Sequence, residues 1–224
     1  MSGSIAAWLV GLATPDRPDE LETKQLLAAA GIAVPRGLRL APGDDPAAVP
    51  LVGPLVVKLC DPDVPHKTDL DAVRLGVAPA ELPAAVTALR ARFPGKALLV
   101  EEHIQAVELE LIVGGLVDPA FGPAVMLGRG GILSELVPDV TFRLAPCSEA
   151  EALGMLEELA VAPLFRGYRG QRLDGPALAH IVRTVGDLVL ALGDRFDQLD
   201  VNPLAFAADR WIALDAALRL RLSA

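Results

Sequence analysis

The chain has 224 residues, of which 52% are hydrophobic and 22% charged, with a formal net charge of −9 and a pI near 4.8. This composition is typical of a globular chain with a large core and excludes intrinsic disorder. An acidic chain repels nucleic-acid phosphates, so we expect no nucleic-acid partner. Any bound phosphate must depend on local cations, backbone N–H groups and a metal ion.

Cysteine content and apolar run length restrict the cellular setting. The two cysteines, Cys60 and Cys147, do not make a disulfide framework, and no Cys–His cluster indicates zinc. We expect buried free thiols and a reducing, cytoplasmic compartment. No apolar run reaches the ~20 residues of a membrane helix, so no membrane association is predicted. We interpret residues 1–19, with a short apolar run at 5–13, as an N-terminal tail or docking segment and not as a signal peptide.

Helices and strands alternate in the first part of the chain. Leucines at helical spacing predict a helix over residues 21–30, ended by Gly31. An extended segment and a loop rich in Pro, Gly and Asp follow. The next predictions are two strands and a helix, at 55–59, 73–77 and 82–93. This order predicts an α/β or α+β fold, with a subdomain boundary at Pro94-Gly95 that separates residues 20–96 from 97–224.

The second part of the chain reads mainly as strands with two helices. A capping box, Ser148 with Glu151, starts a helix that runs to about residue 159, and Gly175-Pro176 opens another that ends near Gly193. The predicted strands are 97–101, 109–117, 123–127, 198–207 and 211–216.

Two basic groups near the strand at 55–59 indicate phosphate chemistry. Lys58 places a cation at the strand end, and His66 offers a nitrogen nucleophile or proton carrier on the loop that follows. The alternative is a strand followed by a solvated polar loop. The segment by itself leaves both interpretations open.

Two further segments have both a chemical and a plain structural interpretation. Glu101-Glu102-His103-Ile104, where a strand ends, could read a nucleotide base and ribose, or could be two solvated glutamates with their neighbours. The glycine-rich segment at 128–131 lets backbone N–H groups approach an anion, with Arg129 adding charge. A plain tight turn is its alternative.

Asn202 and Asp215 are predicted on consecutive strands, which would bring their oxygens together for Mg²⁺. Asp200 points to the same side as Asn202 by the two-residue period of a strand. The alternative is an Asn-Pro turn beside a strand-edge aspartate. Neither a Walker-type phosphate loop nor a Gly-x-Gly-x-x-Gly after a strand is present, so a bound nucleotide requires another architecture.

The order of these segments resembles an ATP-grasp domain of the β-subunit type found in ADP-forming (NDP-forming) acyl-CoA synthetases, relatives of succinyl-CoA synthetase. The resemblance covers about residues 20–218 in at least eight blocks. These are Glu22-Thr23-Lys24 with residues 31–35, Val57-Lys58, and residues 65–69, 110–114, 118–123, 130–131, 142–146, 166–170, 199–204 and 213–216.

The resemblance implies an ATP-grasp fold in which two α+β subdomains clasp a nucleotide between them. It also implies reversible conversion of an acyl-CoA, ADP and phosphate to a free acid, CoA and ATP. An acyl phosphate forms first, and its phosphoryl group passes to a histidine of a partner and then to ADP. The chain would bind ATP or ADP with Mg²⁺. A separate CoA-binding α-type subunit would carry the phosphorylated histidine and bind CoA and the carboxylic acid, giving a hetero-oligomer.

The motif match also implies roles for individual residues. Lys58 would hold nucleotide phosphates, and His66 would match the β-subunit histidine that helps to relay the phosphoryl group. Asn202 and Asp215 would hold Mg²⁺. The remaining implied contacts are Glu101, Glu102, His103 and Ile104 with adenine, Glu110 with ribose or phosphates, and Gly130, Gly131 and Arg143 with phosphate.

Two departures from the family pattern keep alternatives open. Leu70-Asp71-Ala72 stands where the family usually has a Gly-Gly pair, and Arg129 replaces an apolar or small residue. Arg129 either compensates the charge of Asp71 or marks a changed ligand. Asp71-Ala72 favours a catalytically degenerate, nucleotide-sensing regulatory subunit. A different ATP-grasp ligase, which joins a carboxylate directly to an amine, is a third hypothesis, but such a ligase needs no phosphohistidine relay and His66 argues against it.

Overall fold

The computed structural model describes residues 2–64, 67, 70–130, 139–170 and 173–222. The chain divides into two compact units, each with its own antiparallel sheet. The smaller unit comprises Asp19–Glu22 and Pro35–Gln105. The larger unit comprises Met1–Pro18, Thr23–Val34 and Ala106–Ala224.

The smaller unit is a four-stranded sheet with one helix packed on it. Leu55, Val57 and Leu59 alternate along the second strand and pack in one apolar cluster with Val86 and Leu89 of the helix. The opposite face of that strand carries Val56 and Lys58. The strand order in the sheet is β1-β4-β2-β3. In chain order the elements are β1 (Gly37–Leu40), β2 (Leu55–Leu59), β3 (Val73–Val77), helix α3 (Leu82–Arg92) and β4 (Leu98–Glu102).

The larger unit contains a six-stranded sheet over the described residues. Its strand order is β10-β8-β5-β6-β7, and β9 pairs with β8 beside this path. The bounds are β5 (Leu109–Asp118), β6 (Gly122–Arg129), β7 (Val140–Leu144), β8 (Phe196–Ala207), β9 (Arg210–Ala213) and β10 (Ala216–Leu220).

Helix α6 forms the centre of the core of the larger unit. It is long and apolar enough to cross a membrane, but 61% of its most apolar window is buried, and Val185 and Val189 belong to the main core cluster. We therefore assign it as a core helix. The α-helices of the chain other than α3 are α1 (Ser2–Val10), α2 (Glu20–Ala29), α4 (Glu149–Glu158), α5 (Ala162–Phe165) and α6 (Gly175–Leu192).

The structure divides the chain differently from the predicted boundary between residues 20–96 and 97–224. Strand β4 lies beyond that boundary, yet it pairs with β1 and β2, so the smaller unit continues to Gln105. Residues 1–19 do not form a separate tail. Helix α1 places Ile5 in the core of the larger unit, where the side chain is 5% exposed.

The structure also differs from the predicted strands at two places in the second half of the chain. The predicted strand at 211–216 is broken after Ala213, and Leu214 and Asp215 connect β9 to β10. Strand β7 was not predicted, although its apolar residues alternate with Thr141 and Arg143 as they do in a strand. Val140, Phe142 and Leu144 are all exposed on one of its faces.

Replacing Gly115 with alanine tests the contact between β5 and α6. A Cβ at Gly115 would lie 2.5 Å from Val189 Cγ2 and 3.1 Å from Phe196 Cζ. We expect Gly115→Ala to lower the free energy of unfolding by roughly 1–3 kcal/mol, because the core must shift to accept the methyl group. Trp8 and Trp211 both lie in the larger unit, so tryptophan fluorescence during urea unfolding follows this unit.

The matched control is Gly154→Ala in α4, where an added Cβ meets only Arg143 Nη2, at 3.9 Å. This change should stabilise the unit by up to about 1 kcal/mol, since alanine is the better helix former. Equal effects of the two substitutions would contradict the close packing of β5 on α6.

Candidate functional site

Lys58 lies in a buried cluster of four charged side chains within the smaller unit. Its Nζ is 2.5 Å from Glu20 Oε1 and 2.7 Å from Glu101 Oε1. The second oxygen of Glu20, Oε2, is 2.5 Å from Lys67 Nζ. None of the four side chains is more than 9% exposed. Two lysines and two glutamates thus balance one another in a site largely closed to water.

Strand register and a helix cap bring this cluster together. Lys58 is opposite Leu99, and Glu101 is opposite Val56, so Lys58 and Glu101 occupy the same face of the sheet. Asp19 and Glu22 form a reciprocal cap at the start of α2, because each carboxylate accepts the other's backbone N–H, at 2.9 and 2.8 Å. This cap places Glu20 at the first helical position, facing both lysines.

The predicted adenine-binding segment lies in and just after β4. Glu101 and Glu102 are the last residues of that strand and not a polar end beyond it. The N–H of Glu102 donates to Arg36 O and that of His103 donates to Pro54 O, both at 2.9 Å. Arg36 Nε also donates to the Glu102 carboxylate at 2.8 Å. The N–H groups of Glu102 and His103 therefore donate to backbone carbonyls of the smaller unit and not to a nucleotide base.

His66 lies outside the described residues, which resume at Lys67 and again from Leu70 onward. Asp71 adopts a left-handed backbone, with φ of 53°, and its carboxylate accepts from Arg74 Nη1 at 2.7 Å. The hydrogen bond from Arg74 lowers the pKa of Asp71. Arg74 thus provides the compensating charge that the sequence suggested for Arg129. Ala72 is fully buried, and its N–H donates to Lys67 O at 2.9 Å.

In the larger unit, backbone hydrogen bonds bring Asn202 and Asp215 together. The N–H of Asn202 donates to Asp215 O at 3.2 Å, and that of Leu214 donates to Pro203 O at 3.0 Å. The buried Lys24 Nζ donates to Leu214 O at 2.7 Å, which anchors the connection between β9 and β10 beside Asp215. The structure therefore juxtaposes the two residues that were predicted to hold Mg²⁺.

Asp200 adds an electrostatic reason for a cation at this place. Burial of its carboxyl group and the charge of Asp215 together raise the pKa of Asp200. Over the described residues no three His, Cys, Asp or Glu side chains form a complete metal cage. Mg²⁺ commonly uses one or two protein oxygens together with substrate phosphates, so Asn202 and Asp215 fit an ion that arrives with a nucleotide.

Glu110 and Gly130 are neighbours in the same unit. Gly130 N–H donates to Glu110 O at 3.0 Å, and a Cβ on Gly130 would lie 3.1 Å from that carbonyl group, so the close approach favours glycine. With Arg129 and residues 107–109, they line an open cavity of about 290 Å³. Gly131, the second predicted glycine, lies outside the described residues.

The geometry does not support Arg143 as a phosphate contact. Arg143 is opposite Val125, a core residue, and its guanidinium pairs with Glu158 of α4. That ion pair raises the pKa of Arg143 and lowers that of Glu158. Arg143 therefore lies on the helix side of the sheet, the face opposite to that of Asp200.

Sequence reasoning missed Glu20 and the direct role of Lys67 in the cluster. One signal could have revealed them, because the chain has only four lysines among its 20 lysines and arginines. Three of the four, Lys24, Lys58 and Lys67, are 2–9% exposed. A scarce residue type that is concentrated in buried positions indicates a specific electrostatic task.

The family model for the ATP-grasp domain matches residues 14–220, nearly the whole chain. The chain belongs to the ATP-grasp family. The predicted fold class and the predicted resemblance are therefore confirmed, and the two α+β units are those of an ATP-grasp domain.

Relatives define the branch of the ATP-grasp family. The chain is 34% identical over 213 residues to the β subunit of ADP-forming acetate–CoA ligase I from Pyrococcus furiosus, covering 90% of each chain. It is 33% identical to the ADP-forming acetate–CoA ligase I of Archaeoglobus fulgidus, covering 72% of this chain but 24% of that protein. The fold superposes with a TM-score of 0.81, at 29% identity, on Candidatus Korarchaeum cryptofilum acetyl-coenzyme A synthetase 1 in complex with coenzyme A and Mg-AMPPCP, covering 99% of this chain and 100% of that one.

Replacing Asp200 with asparagine tests the electrostatic description of the carboxylate pair. In the absence of metal and nucleotide, Asp200→Asn should raise the melting temperature at pH 7, because it removes a buried charge next to Asp215. Each kcal/mol relieved corresponds to roughly 2–4 °C for a chain of this size. The raised pKa means that Asp200 binds its proton more tightly in the folded state. The gain in melting temperature should therefore shrink as the pH falls and Asp200 of the native chain becomes protonated.

The control for this prediction is Asp194→Asn, which changes an exposed aspartate of the same unit. Its melting temperature should differ little from that of the native chain at every pH. A destabilised Asp200→Asn variant would show that the carboxylate is favourably paired and not repelled.

Proposed function

We propose that this chain is the nucleotide-binding subunit of an ADP-forming acyl-CoA synthetase, which interconverts acid, CoA and ATP with acyl-CoA, ADP and phosphate. The observation that carries the proposal is the 34% identity to an acetate–CoA ligase β subunit over 90% of both chains. The buried cation Lys58 and the adjacent Asn202 and Asp215 support the proposal, because such chemistry requires a cation for the phosphates and oxygen ligands for Mg²⁺.

Phosphoryl transfer depends mainly on positioning and on neutralising charge. In this proposal Lys58 contacts the nucleotide phosphates and Asn202 and Asp215 hold Mg²⁺. Glu110 and Gly130 are further nucleotide contacts. Mg²⁺ would neutralise phosphate charge as the phosphoryl group moves. Adenine would contact residues 101–104, through groups other than the N–H groups of Glu102 and His103, which donate within the sheet.

The proposed reaction needs a second subunit. In the direction of ATP synthesis, the bond between phosphorus and the imidazole nitrogen of a partner's phosphohistidine breaks, and a bond forms to the terminal phosphate oxygen of ADP. The motif match implies that His66 would assist this relay. One Korarchaeum structure shows a phosphohistidine segment pointing towards the nucleotide-binding site of that enzyme.

The partner would be a CoA-binding α-type subunit, so we propose a hetero-oligomer. The Archaeoglobus relative supports this proposal, since the present chain corresponds to only 24% of its length. We also place the chain in the cytoplasm, because its two cysteines are free thiols in buried positions.

A nucleotide-sensing subunit without turnover is the second candidate, and Asp71-Ala72 is the feature that favours it. The fold weakens this argument, because Arg74 pairs with Asp71 and the Ala72 methyl group fits within the core. Assembly with the CoA-binding subunit separates the two candidates. Formation of ATP from acyl-CoA, ADP and phosphate would exclude the sensor.

The first experiment measures the thermal shift of the chain with Mg·ATP and Mg·ADP. Nucleotide at ~100 times its dissociation constant should add about 2.7 kcal/mol to stability. Lys58→Ala alone would remove the cation that Glu20 and Glu101 share, and breaking a buried ion pair typically costs about 3–5 kcal/mol. The double variant Lys58→Met/Glu101→Gln removes one charge of each sign, and we expect it to fold and to lose the nucleotide shift.

Lys96→Met is the matched control, because Lys96 is half-exposed and pairs with Asp61 outside the cluster. It should keep the full nucleotide shift. A native chain that shows no shift at millimolar Mg·nucleotide, or a double variant that keeps the native shift, would overturn the proposed role of Lys58.

A further inference from the structure

Glu20 touches both lysines of the buried cluster. Each of its carboxylate oxygens lies 2.5 Å from a different ammonium group, Oε1 from Lys58 and Oε2 from Lys67. Glu101 contacts Lys58, at 2.7 Å. The four side chains therefore form a chain of charges in the order Glu101, Lys58, Glu20 and Lys67.

We propose that Glu20 is a positioning residue that couples nucleotide binding at Lys58 to the position of Lys67. The inference rests on the proposed function and adds a residue that the motif match does not assign. Lys67 follows His66 directly in the sequence. Through Glu20, the residue that follows the candidate relay histidine in the sequence is tied to the cation that holds the nucleotide.

The physical basis is competition for one carboxylate. Lys58 divides its attraction between Glu20 and Glu101, and Lys67 faces the second oxygen of Glu20. A nucleotide phosphate that approaches Lys58 brings negative charge, which draws Lys58 away from Glu20. Glu20 then interacts more strongly with Lys67. Such coupling is strong because the cluster is buried, where charges are screened less than at the surface.

Lys67 transmits this change to the backbone around it. Its carbonyl oxygen accepts a hydrogen bond from Ala72 N–H at 2.9 Å, and Ala72 O in turn accepts from Leu59 N–H at 3.0 Å. Lys67 is thus held at its side chain by Glu20 and at its backbone by a residue paired with β2. Occupancy of the phosphate site would set how firmly Lys67 is held when the phosphoryl group is transferred.

The scarcity of lysine makes a direct test practical. All four lysines lie in the described part of the chain, so a chain labelled with lysine ¹³Cε should give four ¹H–¹³C correlations. Lys→Arg substitutions assign them one at a time. We expect titration with Mg·ADP to shift the Lys58 and Lys67 signals together, with the same dissociation constant. The signal of Lys96, which is half-exposed and pairs with Asp61, should not move.

Glu20→Gln is the decisive variant, because it keeps the size of the side chain and removes the charge. Nucleotide should still shift Lys58, whereas the response of Lys67 should be lost. Glu101→Gln is the comparison variant. It removes the other carboxylate from Lys58 but leaves the Glu20 bridge, so Lys67 should still respond.

The outcomes separate this inference from the proposed function. A Lys58 signal that does not respond in the native chain contradicts nucleotide binding there. A Lys58 response without a Lys67 response overturns the coupling alone. A Lys67 response that survives Glu20→Gln also overturns it, because Lys67 would then sense the phosphate directly. If Glu20→Gln does not fold, Glu20→Asp gives the same decision, because its shorter side chain cannot reach both ammonium groups. The response of Lys58 to nucleotide should persist, and that of Lys67 should be lost.

Discussion

A neutral group of four buried charges is the constraint around which the smaller unit is organised. Removing a lysine or a glutamate from water is unfavourable unless the charges are closely paired. The unit meets this condition with a helix cap that fixes Glu20 and a strand register that places Glu101 beside Lys58. These elements cannot be changed independently, because a shift in any of them would leave a buried charge without its partner.

Much of the fold could be predicted from the sequence, because apolar periodicity and glycine or proline breaks mark α3, α6 and the central strands. Strand β7 was not predicted although its residues alternate between apolar and polar, since the pattern is only five residues long. Strands β9 and β10 were merged because no breaker separates Ala213 from Ala216. The pairing of Asn202 with Asp215 followed from strand order. Glu20 could not be found in this way, since its partners lie 38 or more positions away and depend on tertiary contacts.

Departures from a family pattern acquire meaning only in their structural surroundings. Asp71 carries a negative charge and a left-handed backbone at a position where glycine is usual, and by itself it suggests a lost function. Its neighbour Arg74 pairs with it, and Ala72 fills space in the core. Aspartate is also among the few residues that adopt the left-handed region at modest cost. The turn therefore accommodates both Asp71 and Ala72 through contacts with its own neighbours.

The unequal use of lysine and arginine has a chemical consequence. An enzyme that handles acyl phosphates and acyl-CoA works beside reagents that acylate primary amines, and lysine is the side chain that they modify. Here most cations are arginines, which lack such an amine, and three of the four lysines are buried. Only the half-exposed Lys96 presents its ammonium group to solvent. A surface of this kind would offer few amines for the intermediates of the proposed synthetase to acylate.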